Sequence, residues 1–412
     1  MGGVRMEQVN SPWGFLPRGW RLSTIDEEKE RLTDYVANGS FASLASNVHY
    51  KDTEDYAVLI RLVDFNNDFK GPFVYIDEHA YSFLSKSSLS GGEIIISNVG
   101  ANVGTVFKCP NLPYKMSLAP NAITIKLKGD NDFYYYWFKS KIGQANIQAL
   151  VTGSAQPKFN KTNFRSMYIP VPPLDVQRRI ASILSSLDRK IELNNKINDD
   201  LEEMAQAIFK NWFVDFEPFK NGKFVDSELG MIPEGWKVGS LGDFCNVFTG
   251  KKNTNQAIEK GLYPFFSCAP EPLASNDAIF NGKAIIIAGN GSYTGRTSFY
   301  NGGFDLYQRT YACTIREQDK ENLMIFFYHM MKQFFEPTKM GGTRGSSIPY
   351  IVMGDITQQK FPYSKDWLIR FSNIANSMMD RKLRIDKENS RLSLLRDTLL
   401  PRLMSGEIEL PE

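Results

Sequence analysis

The chain has 412 residues, of which 42% are hydrophobic and 29 are phenylalanine. This length suggests two to three domains, and this composition indicates packed cores rather than disorder. No apolar run approaches the roughly 18 residues that a membrane helix needs, and residues 1–6 do not resemble a signal peptide, so the expected location is the cytoplasm, away from the membrane. Four separated cysteines and three histidines make a structural zinc site unlikely to form; no metal is expected.

The net charge of +2 hides an asymmetry along the chain. Residues 1–85 hold 8 Lys and Arg against 13 Asp and Glu, a net of −5, whereas residues 86–165 hold 10 against 3, a net of +7. A domain with one face directed at phosphates would show such a basic patch beside an acidic one. Solvated surface charge explains the same counts without any ligand.

Two globular segments open with the same motif, Pro-x-Gly-Trp, which ends at Trp20 and again at Trp236. Further along, a run of isoleucines closes with Gly-x-x-x-Gly at 100–104 and again at 291–295. Neither copy has the Gly-Lys-Ser/Thr of a nucleotide-binding P-loop or the Gly-x-Gly-x-x-Gly that binds dinucleotides. Each copy therefore predicts a buried strand, a tight turn and a returning strand, a turn that can still bring Asn102 or Arg296 to a ligand.

A second matched pair is the polar loop at 152–158, which returns at 344–349. Each follows an aromatic-rich helical stretch and precedes a short strand that ends in proline and then a long helix. Glycine, serine and glutamine beside lysine or arginine make a loop rich in donors, suited to phosphates and base edges. A surface loop with ordinary turn chemistry is the alternative, but two copies at the same place favour contact with the same kind of partner.

Residues 174–213 predict one long helix. Its apolar residues recur in steps of three and four, and no proline or glycine interrupts positions 175–212, a length of roughly 55 Å. The polar Asn194 and Asn198 stand on the apolar stripe, as in a coiled coil whose register is fixed by buried asparagine. Such a helix needs a partner helix.

The partner lies in the same chain, because Leu-Asp-Arg-Lys-Ile at 187–191 returns as Met-Asp-Arg-Lys-Leu at 379–383 within a second helix over 366–404. Two unrelated amphipathic helices on separate cores are the alternative. The outer faces of the helices, around Arg189, Lys190, Arg381 and Lys382, are expected to face a partner or solvent rather than to read bases. The predicted coiled-coil interface consists of Ile180, Leu184, Leu187, Ile191, Leu201, Ile208, Phe371, Met378, Ile385, Leu392, Leu395 and Leu399.

The predicted order is therefore globular domain (1–173), long helix (174–216), globular domain (217–365), and long helix with a tail (366–412). The copies differ most near the front of each domain. Trp20 to Gly100 spans 80 positions, whereas Trp236 to Gly291 spans 55, so the first domain carries about 25 extra residues. A common frame with different domain bodies suggests two units that read different things.

The chain resembles the specificity (S) subunits of type I restriction-modification enzymes over nearly its whole length. The resemblance rests on Ile-Pro-Val-Pro-Pro-Leu-Asp at 169–175 leading into the first helix, on Phe-Lys-Asn-Trp-Phe-Val-Asp-Phe at 209–216, and on Leu-Pro-Arg-Leu-Met-Ser-Gly-Glu-Ile at 400–408. The second copy departs from the pattern at 363–367, where Tyr-Ser-Lys-Asp-Trp replaces the proline pair.

The resemblance implies an α+β fold with two globular α/β target recognition domains, separated by two long helices that form an antiparallel coiled coil, the halves being related by a pseudo-twofold internal repeat. Each domain is expected to bind one half of a bipartite, asymmetric site in double-stranded DNA, while the helices set the spacing and dock two methyltransferase subunits. Restriction subunits join in the full complex. S-adenosylmethionine, ATP and Mg²⁺ belong to these partners, and no cofactor is expected in this chain.

The chain is not expected to be an enzyme. It lacks the Asn/Asp-Pro-Pro-Tyr/Phe motif of methyltransferases that flip adenine, the nearest match being Val-Pro-Pro-Leu at 171–174, and it lacks a Walker lysine and a convincing nuclease cluster. Two alternatives are a single-chain restriction or methylation enzyme with an unrecognised catalytic half, and a coiled-coil scaffold with no nucleic-acid role. The first predicts methyl transfer by the chain alone, and the second predicts no salt-dependent DNA binding.

Basic and amide side chains near the matched turns and loops are the candidates for DNA contact. A lysine is expected to contact phosphates more often than bases, and plain surface exposure is the alternative for each residue. The candidates are Lys115, Gln156, Lys158, Asn160 and Lys161 in the first domain, and Lys251, Lys252, Arg296, Arg309 and Arg344 in the second.

Overall fold

The computed structural model describes residues 10–335 and 349–408. The chain divides into two compact units: unit 1 comprises Met1–Glu192 and Asn389–Glu412, and unit 2 comprises Leu193–Glu388. Within the described ranges, no helix is both long enough and apolar enough to cross a membrane.

Short strands and short helices precede each long helix. Those up to the first long helix are β1 Asn10–Ser11, β2 Gly14–Phe15, β3 Arg21–Thr24, α1 Ile25–Glu28, β4 Lys29–Asp34, α2 Phe41–Asn47, β5 Ala57–Ile60, α3 Leu62–Asn66, β6 Val74–Ile76, α4 Glu78–Phe83, β7 Ser88–Leu89, β8 Ile94–Ser97, β9 Val106–Lys108, β10 Lys115–Leu118, β11 Ala122–Leu127, α5 Asn131–Lys139, α6 Lys141–Ala149, α7 Lys161–Arg165, β12 Tyr168–Val171 and α8 Leu174–Phe213. The rest are β13 Phe224–Val225, β14 Ile232–Pro233, β15 Lys237–Ser240, α9 Leu241–Phe244, β16 Cys245–Thr249, β17 Tyr263–Phe266, β18 Leu273–Ser275, β19 Phe280–Ala288, β20 Thr297–Leu306, β21 Thr310–Ile315, α10 Met324–Phe334, α11 Met353–Thr357, β22 Lys360–Tyr363 and α12 Lys365–Met404.

The repeat predicted from the sequence extends to the sheet topology. Unit 1 has a four-stranded sheet in the order β4-β11-β8-β9, and unit 2 has the same arrangement as β16-β21-β19-β20. Every neighbouring pair in both arrangements is antiparallel. Each unit also pairs the strand after its Pro-x-Gly-Trp motif with the strand before its long helix, β3 with β12 and β15 with β22.

The units differ where the sequence copies differ in length. In unit 1 the extra residues contribute to a second sheet in the order β6-β5-β10-β7, which has its own apolar cluster around Leu59, Ile76 and Leu84. In unit 2 the corresponding segment is shorter, and β17 and β18 extend the main sheet to six strands. The two units therefore share one four-stranded arrangement and differ in the additional strands, which form a separate sheet in unit 1 and extend the main sheet in unit 2.

Aromatic side chains anchor both cores. Trp20 and Trp236 are 6% and 8% exposed, as their repeated motif predicts. Trp20 lies edge-on to Phe133 of α5, with ring centroids 6.2 Å apart, and Trp236 contacts Phe213 of α8 at 5.6 Å. Burial of such large rings dominates core stability. The cores thus fasten the sheets to the aromatic-rich helices and to the long helices.

The long helices run antiparallel inside unit 2: residue numbers increase along α8 as the numbers of their contacts on α12 decrease. Asn194 donates to Glu388 at 2.9 Å, and Asn198 donates to Asp386 at 2.6 Å. Both asparagines are buried, as their place on the apolar stripe predicts. The stripe continues toward the end of α8 as an aromatic contact between Phe209 and Phe371, with centroids 5.7 Å apart.

The same antiparallel pairing holds inside unit 1, where the first half of α8 lies against the last turns of α12. Ile180 and Leu184 pack in one core with Leu403 and Met404, which the predicted interface did not include. Leu395 is 46% exposed, contrary to its predicted interface position. The adjacent Arg396 makes the inter-helix contact instead, because its guanidinium reaches Asp188 at 2.8 Å.

The other predicted interface residues fall into two burial classes. Ile180, Leu184, Phe371 and Ile385 are fully buried. Half-buried positions are Leu187, Ile191, Leu201, Ile208, Met378, Leu392 and Leu399.

Candidate nucleic-acid interface

In unit 1 the backbone joins the glycine turn to the end of the polar loop. Val99 and Lys158 form an antiparallel bridge, the Phe159 N–H donates to the Asn98 carbonyl at 3.1 Å, and the Gly100 N–H donates to the Pro157 carbonyl at 2.9 Å. The glycine turn at 98–104 and the polar loop at 152–158, whose bonded residues are 57 to 61 positions apart, therefore form one surface, the turn-and-loop surface.

Unit 2 repeats this junction. Asn290 and Tyr350 form an antiparallel bridge, and the Ile351 N–H donates to the Gly289 carbonyl at 2.8 Å. These bonds occupy positions equivalent to those in unit 1. The rest of the second polar loop, including the candidate Arg344, lies outside the described residues.

The glycines act as a turn, as the sequence predicts. Gly100 and Gly104 have φ of 104° and 93°, and Gly291 and Gly295 have 85° and 87°, a region that favours glycine. The Gly104 N–H donates to the Ser97 carbonyl at 2.8 Å, which closes the turn between β8 and β9. The next strand starts at Val106 in unit 1 and at Thr297 in unit 2, so neither turn opens a phosphate-binding helix.

Four unit 1 candidates lie on or beside the turn-and-loop surface. Gln156 and Lys158 are exposed, and the exposed Asn160 caps α7 by accepting from the Asn163 N–H at 2.8 Å. Lys161 is half-buried and bonds Asp34 at 2.7 Å.

The fifth unit 1 candidate is in the other sheet. Lys115, at the start of β10, donates to the Tyr56 hydroxyl and lies over its ring, 4.5 Å from the centroid. The side-chain hydrogen bond to Tyr56 raises the pKa of Lys115. Of the five, Gln156 and Lys158 are therefore the most available for an external ligand.

In unit 2 four candidates come together at one end of the six-stranded sheet. The Gly289 N–H donates to the Arg309 carbonyl and the Gln308 N–H to the Lys252 carbonyl, which holds both segments beside the turn. Lys251 and Arg309 are exposed.

The other two candidates of this cluster are engaged with the protein. Lys252 binds Asp277 and Asp305 at 2.7 Å each, and these bonds raise its pKa. Arg296 is half-buried, and its guanidinium donates to the Ala269 carbonyl. Its Nε is buried with no hydrogen-bond acceptor in the described chain, and burial lowers its pKa.

Sequence reasoning missed two aromatic residues at the unit 2 surface. Tyr293 lies inside the glycine turn at the position equivalent to Asn102, and Tyr350 forms the bridge to the turn. These residues are 46% and 38% exposed, so both tyrosines are accessible at this surface. A large aromatic residue inside a glycine turn is a signal that could have identified Tyr293.

A partly buried ionic cluster joins α10 of unit 2 to the two long helices. Glu202 of α8 binds Lys332 of α10 and Lys382 of α12 at 2.8 Å each, and it accepts from the Tyr328 hydroxyl at 2.8 Å. Burial raises the pKa of Glu202, but the two lysines outweigh this effect and lower it to about 2. Lys382 therefore binds this carboxylate. The prediction that it faces a partner or solvent was wrong.

The neighbouring His329 is 1% exposed, with its Nδ1 2.9 Å from the Gln206 amide oxygen. Burial lowers the pKa of His329 to about 4, so its ring is neutral at pH 7.

Unit 1 contains a related cluster at the equivalent tyrosine. Tyr136 of α5 donates to Asp188 at 2.7 Å, and Asp188 also binds Arg396. Burial, followed by the bond to Asp188, raises the pKa of Tyr136. In each unit a single carboxylate on α8 thus joins a short helix, α5 or α10, to both long helices.

Comparisons with known proteins identify the relatives of this chain. A model of the type I restriction modification DNA specificity domain matches residues 36–203 and 233–365. The type I restriction enzyme MjaIX specificity subunit of Methanocaldococcus jannaschii is 28% identical over 303 residues, which cover 68% of this chain and 70% of that protein. The MjaVIII specificity subunit of the same organism is 26% identical over 408 residues, which cover 86% and 93%.

A solved structure shows the same fold. The crystal structure of a type I restriction-modification S subunit from M. genitalium is 17% identical and superposes with a TM-score of 0.54, covering 93% of this chain and 96% of that one.

Two copies of one sheet-and-helix unit, each with a glycine turn bonded to the residues at or just after its polar loop, define a repeated recognition protein. The two matched regions cover well over half of the chain. The chain belongs to the type I restriction modification DNA specificity family, and it is a DNA-recognition subunit rather than a catalytic one.

Proposed function

We propose that each turn-and-loop surface reads one half of a split, asymmetric site in double-stranded DNA. The observation that supports this most is the repeated junction between glycine turn and polar loop, since Phe159 and Ile351 make equivalent bonds in the two units. Because the sheets beside this junction differ between unit 1 and unit 2, we expect the two units to read different half-sites.

Within this proposal the exposed cations Lys158, Lys251 and Arg309 contact phosphates, while Gln156 and Tyr293 are better suited to base edges. Lys115, Lys161 and Lys252 already bind the protein, so their contribution to DNA binding would require exchange of these bonds. Arg296 stays a candidate for DNA contact, but its Nε is buried and its guanidinium already donates to the Ala269 carbonyl.

The long helices are proposed to set the spacing of the half-sites and to dock partner subunits. Exposed apolar side chains support docking: Leu193, Ile197 and Met204 on α8 are 58%, 39% and 53% exposed, and Leu394 on α12 is 69% exposed. Side chains of this kind on a helix favour a protein partner. The proposed partners are two methyltransferase subunits, with restriction subunits added in the full complex. They would supply S-adenosylmethionine, ATP and Mg²⁺ in the cytoplasm.

The test is to co-express the chain with its methyltransferase subunit in a host that lacks methylation and to map N6-methyladenine across the genome. The expected result is one motif with two short specified parts, a fixed unspecified gap and methylation on opposite strands. A continuous motif, or no methylation with a demonstrably active partner, would contradict the proposal. Methyl transfer by the purified chain alone would support the single-chain enzyme instead.

A further inference from the structure

Unit 1 contains an apolar cleft of about 470 Å³ beside its turn-and-loop surface. The residues that line it include the aromatic Tyr35, Phe41 and Tyr50, together with Asn98 and Val99 at the start of the glycine turn. Tyr35 is buried, whereas Phe41 and Tyr50 are 83% and 54% exposed. An almost fully exposed phenylalanine at the mouth of an apolar cleft is typical of a binding site.

The backbone connects this cleft to the proposed DNA surface. Asn98 and Val99 line the cleft and also bond Phe159 and Lys158 at the end of the polar loop. The cleft therefore adjoins the turn-and-loop surface. Phe41 begins α2, which belongs to the segment where unit 1 is longer than unit 2. The cleft is therefore placed to serve the half-site that unit 1 reads.

The charges of the cleft favour a neutral, flat occupant. Asp34 is the charged residue in its lining, and Lys161 neutralises it at 2.7 Å. A phosphate would find no available cation there, whereas a nucleobase would find aromatic faces on which to stack.

We propose that this cleft holds one DNA base that leaves the helical stack, between the rings of Phe41 and Tyr50. The inference rests on the proposed function, because it needs the turn-and-loop surface to face DNA. Enzymes and binding proteins read such everted bases by aromatic stacking and by hydrogen bonds to the base edge. Here the captured base would not be the one that is methylated, since this chain recognises and does not catalyse.

The experiment uses the full chain assembled with its methyltransferase subunits and duplexes that carry the mapped motif. 2-Aminopurine, whose fluorescence rises when it unstacks, replaces one base at a time. The expected result is a several-fold rise at one position that is not a methylated adenine, within one half-site only. The rise should disappear in Phe41→Leu, which keeps apolar bulk without a ring, and should persist in Phe41→Trp. Loss of one stacking ring is expected to weaken binding about 5- to 100-fold.

The matched control is Tyr168→Ala, because Tyr168 is also an exposed aromatic residue of unit 1, 47% exposed, and does not line the cleft. If the wild-type assembly binds its motif but unstacks only methylated positions, the inference is overturned. A rise that survives both Phe41→Leu and Tyr50→Ala also overturns it. Failure of the wild-type assembly to bind a split motif would overturn the proposed function itself, which separates the two results.

Discussion

Replacing Glu202 with glutamine should destabilise unit 2, because it removes a carboxylate that binds both Lys332 and Lys382. The glutamic acid side chain is 15% exposed, and its pKa falls from 4.5 to about 2 in the folded chain. At about 1.4 kcal/mol per pKa unit, ionised Glu202 contributes about 3 kcal/mol to the free energy of unfolding at pH 7. In a unit of this size each 1 kcal/mol shifts Tm by about 2–4 °C, so a fall of roughly 6–12 °C is expected.

Differential scanning calorimetry of the full chain measures this shift. Glu203→Gln is the matched control, because Glu203 is the adjacent residue on α8 and is exposed. Its Tm should lie within about 2 °C of the wild type, as for most surface substitutions. A Glu202→Gln variant that melts with the wild type would show that burial of the ions offsets their attraction.

The pH dependence supplies an independent check of the same cluster. Since the folded pKa of Glu202 is lowered, its stabilisation is fully present above pH 4.5 and is lost as the pH falls toward 2. The gap in stability between wild type and Glu202→Gln should therefore be constant from pH 5 to 7 and should be less than half as large at pH 3. A gap that widens on acidification would contradict the assignment.

Three further predictions concern other sites. In the wild type, unit 2 should lose stability as the pH falls from 6.5 to 4, since the folded pKa of His329 is about 4, and His329→Gln should flatten calorimetric stability over that range. Lys158→Ala should make the slope of log K against log salt less negative by about 0.9, where K is the association constant of the assembled methyltransferase for its DNA. If Lys158 makes no phosphate contact, the slope will stay unchanged. Seven residues inserted after Glu192 and seven after Leu392 add about 10 Å to both helices, and methylation mapping should show a gap longer by up to about three base pairs. An unaltered gap would remove the helices from the control of spacing.

The repeated frame could be predicted from the sequence because its signals are local. Apolar residues in steps of three and four, with no proline among them, predict a helix from the local sequence alone. The helix α8 begins at Leu174 and ends at Phe213, as predicted. The glycine turns could also be predicted, since they need positive φ. Comparing the two halves then identified the surfaces, because the same local signals recur in the same order.

The clusters inside each unit could not be predicted in the same way. Glu202 and Lys332 are 130 positions apart, and no periodicity marks a pair of residues that only folding brings together. The same limit explains why Lys382 looked like an outward cation and Leu395 like an interface residue. Helical spacing gives the face of a helix, but the neighbouring helix decides which side chain on that face is covered.

The polar contacts between the helices suggest what fixes their register. An apolar stripe that repeats every seven residues packs almost as well after a slip of one repeat, about 10 Å, which equals the length of three base pairs. The buried Asn194 and Asn198 would lose Glu388 and Asp386 in such a slip, and an unpaired buried polar group costs about 1–3 kcal/mol. Two such losses disfavour the slipped state by a factor of roughly 30 or more. Asn194 and Asn198 cost the helix pair some stability, as buried polar residues do in a coiled coil. The same two residues would hold the DNA spacing to a single value.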